Sequence, residues 1–546
     1  MGRPTAPHRT GPVRRIAAVV AAAIVLLALV LPLDGPFTPA AFLRIPVEAL
    51  VGIALLLVLP ARARPLVAGV LGALLGLLTV LAILHIGFRA VLDKPFDPVV
   101  DAPLFADGMR FLAGSIGQPA AVAVAVLAGL LAIALPVGMA VAVVRLGRIV
   151  VRRRTGAIRL VAVLTPLWVG CALLGAQLVP GVPVASASAA ALARDTAVGI
   201  PATLRGQQEF ATQLDVDPFH DIPAADLLAA LRGKDVVVVF VESYGRSAVE
   251  SPEFAPQVGA VLDEGTARLT AAGFGVRSAY LTSPVAGGSS WLAHASFLSG
   301  LHVGDQGRYD SLVASDRRTL TNTFADAGWR TVAVQPGTTS AWPEADFYGF
   351  AEVLDFADLG YRGPDRGWAS VPDQYTLSAF HRLTQAGPGA PPVMAEIDLV
   401  SSHAPWRLVP PVLDWTTIGD GSVYGPLAGT GDPDAIWGQG TAAVRDAYRR
   451  SIEYSLATLV SYVQTYGDDD LVMVILGDHQ PLPLITGDGA SRDVPISLVT
   501  RDRDVLERIA PWGWVDGLRP GPQAPVWPME AFRDRLLTAF RAPTGG

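Results

Sequence analysis

Cysteine is nearly absent from the 546 residues: there is one, Cys171, in an apolar run. No disulfide framework can form within the chain, and a lone cysteine among apolar neighbours reads as packing rather than chemistry. The compartment has to be read from topology instead. Charge is sparse as well, at 17% of residues, against 51% hydrophobic and a mean hydropathy of +0.40. That balance is too apolar for a wholly soluble protein and too polar for a transporter throughout. There is no basic soluble segment, which excludes nucleic-acid binding, and no internal repeat.

The average hides two halves. Residues 1–180 carry 16 Arg and Lys against 6 Asp and Glu; the rest carries 26 against 43. The basic half contains five long apolar stretches, about 16–33, 45–61, 66–88, 119–144 and 160–180. The first follows Arg3, Arg9, Arg14 and Arg15, as a signal peptide would. Its length and the four stretches behind it favour membrane spans instead. Arg62 and Arg64 lie between the second and third stretches. Arg145, Arg148, Arg152, Arg153, Arg154 and Arg159 lie between the fourth and fifth. Five spans put all these arginines on one face, the cytoplasmic one. The opposite loop, about 89–118, holds Asp93, Asp97, Asp101 and Asp107. An odd count sends everything after about 181 outside the cytoplasm. The expected organisation is an anchor of five helices over 1–180, a connector over 181–232 with an amphipathic helix at 224–231, and a catalytic domain over 233–546 in the cell membrane's outer aqueous phase.

That domain is organised around Val236-Val237-Val238-Val239-Phe240-Val241, a β-branched run that stops at Glu242. A continuous apolar run reads as a strand buried on both faces of a parallel sheet. Ligands sit beyond the carboxyl ends of such strands. A second run, 471–476, ends in Gly477-Asp478-His479. A carboxylate and an imidazole in adjacent positions at a strand tip, with Glu242 nearby, suggest one divalent metal site. Further strands are expected at 331–334, 393–398 and 494–499, and helices at 320–327, 375–383, 442–466 and 529–540. The alternation predicts an α/β domain with a mainly parallel central sheet. Between the two long strands lies Gly287-Gly288-Ser289-Ser290-Trp291, a small-residue turn leading into a helix-like stretch. The N-terminus of a helix there would favour an anionic ester, with Ser290 at its mouth.

Residues 290–301, Ser-Trp-Leu-Ala-His-Ala-Ser-Phe-Leu-Ser-Gly-Leu, resemble the sulfatase nucleophile signature. Ser290 stands at the catalytic position and Ser299-Gly300 at the Thr-Gly position. Val-Glu-Ser at 241–243, Ser-His-x-Pro at 402–405 and Gly-Asp-His at 477–479 resemble lipoteichoic acid synthase and its relatives, membrane-anchored members of the alkaline phosphatase superfamily. The resemblance covers about 235–500 in order. It implies one divalent metal, manganese or zinc, on Glu242, Ser290, Asp478 and His479, with His403 binding or protonating the phosphoryl group. His294, Trp291 and Arg366 are further substrate-binding candidates, and His302, Arg308 and Gln480 candidates to line the pocket. Arg366, before Gly367-Trp368, is equally readable as surface charge. Leu292 stands where sulfatases have Pro, and His294 where they have Arg, so conversion of Ser290 to formylglycine is not expected.

The function expected is that of a membrane-anchored, metal-dependent phosphotransferase or phosphodiesterase. It would act on envelope or lipid-linked phosphoesters through a Ser nucleophile. The alternatives are a sulfuric ester hydrolase and a non-catalytic envelope-glycan binder. The expected partner is a membrane lipid or lipid-linked glycopolymer.

Overall fold

The structure is a computed structural model that describes residues 12–31, 38–364, 371–384, 389–407, 409–427 and 433–542. It divides into two compact units, 1–89 with 94–204, and 90–93 with 205–546.

The first unit is helical: α1 (Pro12–Val30), α2 (Val47–Val58), α3 (Arg64–Leu92), α4 (Leu104–Ile116), α5 (Gln118–Arg152), α6 (Arg154–Leu173) and the start of α7 (Ser188–Leu214). Among the described residues three helices are long and apolar enough to cross a membrane: α3, α5 and α6. The five expected spans are therefore carried by three helices of full length. In α1, Arg14 and Arg15 leave only 16–30 apolar, about 22 Å of helix. In α2, Pro46 and Pro60 bracket a helix of 12 residues, about 18 Å long. Both fall short of a hydrocarbon core of roughly 30 Å. The Arg145 side chain donates to the Arg14 carbonyl at 2.9 Å, so the start of α1 and the arginine-rich end of α5 share one end of the bundle. α3 meets α5 through Gly72 and Gly76: a Cβ on Gly76 would lie 2.4 Å from the Pro136 Cα. Small residues four apart let membrane helices approach this closely. The outward side chains of α5, such as Ile133 and Val141, are about two-thirds exposed, apolar surface suited to lipid and not to water.

The second unit is built on a sheet of nine strands among the described residues. They are β1 (Asp235–Val241), β2 (Gly275–Thr282), β3 (Arg330–Gln335), β4 (Glu352–Asp355), β5 (Val393–Leu399), β6 (Leu471–Gly477), β7 (Asp493–Thr500), β8 (Val515–Asp516) and β9 (Val526–Pro528). Their order is β8-β2-β7-β6-β1-β5-β3-β4, with β9 beside β2. The block β6-β1-β5-β3-β4 is parallel. β7 is antiparallel to both neighbours, so the sheet is mixed. The link from β6 to β7 contains only a four-residue helix, Pro483–Thr486. It turns the chain straight back, whereas a parallel return needs a full crossover.

β1 lies at the centre, and its side chains alternate between two cores. Val236, Val238 and Phe240 pack on one face, and Val237, Val239 and Val241 on the other. Both faces are dry, which is why the run is apolar throughout. Among the helices on one face are α8 (Ala255–Ala271), a helix over Asp373–Thr384 and a long helix over Thr441–Tyr466. On the other lie α9 (Ser290–Ser299) and α10 (Ala531–Phe540). β1, β5 and β6 deliver their carboxyl ends to one edge of the sheet, where the candidate residues gather.

Candidate metal centre

β1 and β6 pair in parallel with Phe240 opposite Leu476 and Val241 opposite Gly477. Glu242 and Asp478 therefore leave the sheet at the same level. Gly477 is required there, because a Cβ would lie 1.9 Å from the Tyr244 carbonyl oxygen. Ser243 then turns with φ of +56°, a conformation that non-glycine residues adopt only when their surroundings impose it. Its backbone N–H donates to Asp478 Oδ1 at 2.7 Å, as does the His479 N–H, also at 2.7 Å. One Asp478 oxygen is thus fixed by the backbone, and Oδ2 faces His479 Nε2 at 3.5 Å.

His479 Nδ1 donates to the Gln480 carbonyl at 2.8 Å. That bond sets the tautomer and leaves the lone pair on Nε2, the arrangement usual for a metal-binding imidazole. Glu242 is oriented by Ser243 Oγ, which donates to Oε1 at 2.7 Å. Its carbonyl accepts from Ser402 Oγ at 2.6 Å. The side-chain donors of Glu242, Asp478 and His479 lie within 4.8 Å of one another, and all three residues are buried. Two carboxylates and one imidazole at that spacing fit a divalent ion.

Ser290 opens α9. Gly287 (φ +74°) and Ser289 (φ +66°) turn the chain so that Ser290 is the first helical residue. Its hydroxyl lies 3.2 Å from Glu242 Oε2 and 3.2 Å from His479 Nε2. The four residues assigned to the metal from sequence are thus brought together. His403 sits on the loop after β5, next to Ser402, with Nδ1 bonded to the Ala404 carbonyl.

Burial dominates the protonation of the site. Asp478 is pushed up to about 6 by burial and by the neighbouring charge of Glu242. His479 is held above its ordinary value although burial works against it, because Asp478 and Glu242 face it. His403 is pushed down to about 4 by burial. It is neutral near pH 7.

The remaining candidates are placed differently. Trp291 is half-buried and donates through Nε1 to Gln306 at 3.0 Å. Arg308 donates to the His302 carbonyl at 3.0 Å, His302 faces Glu530 at 3.5 Å, and Gln480 accepts from the Ser247 N–H at 3.3 Å. Arg366 lies outside the described residues. His294, one turn after Ser290, points Nδ1 at Glu396 Oε1, 2.8 Å away, and at Asp398 Oδ1, 3.6 Å away. Its ring stacks on Phe240 at 3.8 Å, 13° from parallel. Sequence reasoning missed Glu396 and Asp398. The available signal was a pair of carboxylates two residues apart, hence on one face, inside an otherwise apolar strand.

No family model and no curated protein matches the chain. Solved structures do. The lipoteichoic acid synthase LtaP from Listeria monocytogenes is 14% identical, with 62% of this chain and 78% of that chain covered and a TM-score of 0.37. The phosphoglycerol transferase GacH from Streptococcus pyogenes is 12% identical, with 62% and 91% covered and a TM-score of 0.34. A protein in the alkaline phosphatase superfamily from Vibrio parahaemolyticus is 16% identical, with 54% and 66% covered and a TM-score of 0.33. With TM-scores this low, the functional reading rests on the chain's own residues. The chain is similar to solved structures of the alkaline phosphatase and sulfatase-like superfamily.

Proposed function

We propose that the chain is a membrane-anchored member of the alkaline phosphatase superfamily that transfers or hydrolyses phosphate esters of lipid-linked or envelope substrates, with Ser290 as nucleophile. The observation that carries this is the Ser290 hydroxyl at a helix mouth, 3.2 Å from both Glu242 Oε2 and His479 Nε2. Glu242, Asp478, His479 and the Ser290 oxygen would hold one divalent ion, manganese or zinc. Such an ion supplies Lewis acidity, lowering the hydroxyl's pKa and offsetting charge on phosphorus.

The chain's own groups do the rest. Ser290 Oγ forms the new P–O bond as the bond to the leaving alcohol breaks. Its proton passes to Glu242 Oε2, which it already faces. Glu242 passes that proton on to the leaving alkoxide. An acceptor alcohol or water then attacks the phosphoseryl group, the P–Oγ bond breaks, and Ser290 Oγ regains a proton relayed from the incoming hydroxyl. His403 is neutral, and with its proton on Nδ1 its Nε2 is an acceptor, suited to receive the proton of that incoming hydroxyl. Leu292 and His294, standing where sulfatases carry Pro and Arg, favour phosphate over sulfate esters.

The topology agrees with an envelope substrate. Arg62 and Arg64 precede α3, and Arg145 to Arg159 surround the α5–α6 junction. With α3, α5 and α6 as the full-length spans, these arginines share the cytoplasmic face and the α/β unit follows on the outside. The helical anchor tethers the enzyme to the bilayer that carries its substrate, which raises effective concentration. The test is an assay of the detergent-solubilised full chain with manganese or zinc, on bis(p-nitrophenyl) phosphate and p-nitrocatechol sulfate. Metal-dependent phosphodiester cleavage lost in Ser290→Ala supports the reading. Faster sulfate release, or cleavage that survives both chelation and Ser290→Ala, contradicts it.

A further inference from the structure

We infer that His294, Glu396 and Asp398 form a second divalent-cation site, separate from Glu242, Asp478 and His479. The three residues offer one imidazole nitrogen and two carboxylate oxygens within 4.8 Å of one another. A cation with ligands at about 2.0–2.2 Å separates its donors by about 3.0–3.6 Å. The separation from His294 Nδ1 to Asp398, 3.6 Å, lies at the top of that range, and the 2.8 Å to Glu396 lies just below it.

Unsatisfied atoms point the same way. Glu396 is 1% exposed, and its Oε2 has no hydrogen-bond partner; Asp398 Oδ1 is likewise buried without one. A buried carboxylate oxygen without a donor is costly, and native proteins carry few. A proton on His294 would satisfy Glu396 Oε1 and leave both of these atoms bare. A cation would satisfy both carboxylates at once.

Charge makes the same demand. Burial raises the proton affinity of Asp398, His294 works against it, and Glu396, Asp478 and Glu242 each add to it. One divalent ion at the first centre offsets two of these four carboxylates; a second ion offsets the remaining two. The site is also held in shape. Phe240 fixes the imidazole plane, and β5 presents Glu396 and Asp398 two residues apart, paired in register with Val238 and Phe240 of the central strand. An imidazole with two carboxylates suits zinc or manganese. This inference does not depend on Ser290 being a nucleophile.

The test is metal stoichiometry. The full chain in detergent is stripped with a chelator, dialysed against zinc or manganese and analysed by mass spectrometry of the bound metal. Two equivalents are expected in the wild type, one in Glu396→Gln, one in Asp398→Asn, one in Asp478→Asn, and none in Asp478→Asn combined with Glu396→Gln. Circular dichroism on each variant checks folding. One equivalent in the wild type overturns the inference and needs no variant. Two equivalents retained in both Glu396→Gln and Asp398→Asn also overturn it, since the second ion would then lie elsewhere. So does loss of both ions in a folded Glu396→Gln, since the clusters would then be one site.

Discussion

Glu242→Gln separates a metal ligand from an ordinary buried carboxylate, because the two roles predict opposite signs. The substitution keeps side-chain shape. The amide oxygen can still accept from Ser243 Oγ, which donates to Oε1 at 2.7 Å. The amide nitrogen can donate to Ser290 Oγ, whose hydroxyl rotates to accept. Hydrogen bonds are therefore conserved, and only the charge is lost. Without metal that loss relieves repulsion of Asp478 and Asp398, both of whose proton affinities Glu242 raises, and gives up attraction to His479 alone. Metal-free Glu242→Gln should melt at or above the metal-free wild type. With metal the order reverses. Even contacts outside the ligand shell contribute about 10–100-fold to affinity, so a ligand should contribute at least that. At a metal concentration of about 100 times the wild-type Kd, binding stabilises the wild type by about 2.7 kcal/mol. The same concentration is then only about 1–10 times the variant's Kd, a gain of about 0.4–1.4 kcal/mol by the same relation. The assays are competition with a chromophoric chelator for affinity and thermal melts with and without metal. A metal-free variant that melts well below the wild type while binding metal as tightly would refute the assignment.

Ser289→Ala should retain a measurable rate where Ser290→Ala retains none, because Ser290 alone of the two bonds to Glu242 and His479; the reverse result would move the nucleophile by one residue. A reporter fused after residue 185 should be active only outside the cytoplasm and one fused near Arg153 only inside; cytoplasmic activity of the first would demand an even span count. Asp478 is pushed up to about 6 by burial, so its contribution to stability is present below the usual carboxylate range and lost as pH rises through about 6. In metal-stripped protein the melting advantage of Asp478→Asn over the wild type should therefore grow as pH rises through that value, and an advantage that does not change with pH would contradict the charge assignment.

How much of this was legible in the sequence follows from where each residue is buried. The runs 236–241 and 471–476 stand out because both faces of β1 and β6 are dry, so every position must be apolar. Short edge strands such as Glu352–Asp355 carry no such signal; they are half-buried and exist through pairing with a neighbour. The direction of β7 goes with a connection that carries only a four-residue helix in place of a crossover helix, which hydropathy does not encode. Of the five apolar stretches, three are full-length helices among the described residues; the stretch at 45–61 is cut to 12 helical residues by the prolines that bound α2, which hydropathy does not register. At the site, Asp478-His479 and Glu242 announced themselves by ending apolar runs. Glu396 and Asp398 did not, because they sit inside their strand and end no apolar run, and only the fold brings them against His294.

The central claim is that Ser290 takes the phosphoryl group, and a mass measurement tests it most directly. The metal-loaded full chain, incubated with a lipid extract from envelope membranes and quenched in acid, should gain the mass of a phosphoryl-linked headgroup. Peptide mapping should place it on Ser290, and Ser290→Ala should show no adduct at any time point. An adduct that maps to another residue, or one that persists in Ser290→Ala, would contradict the claim.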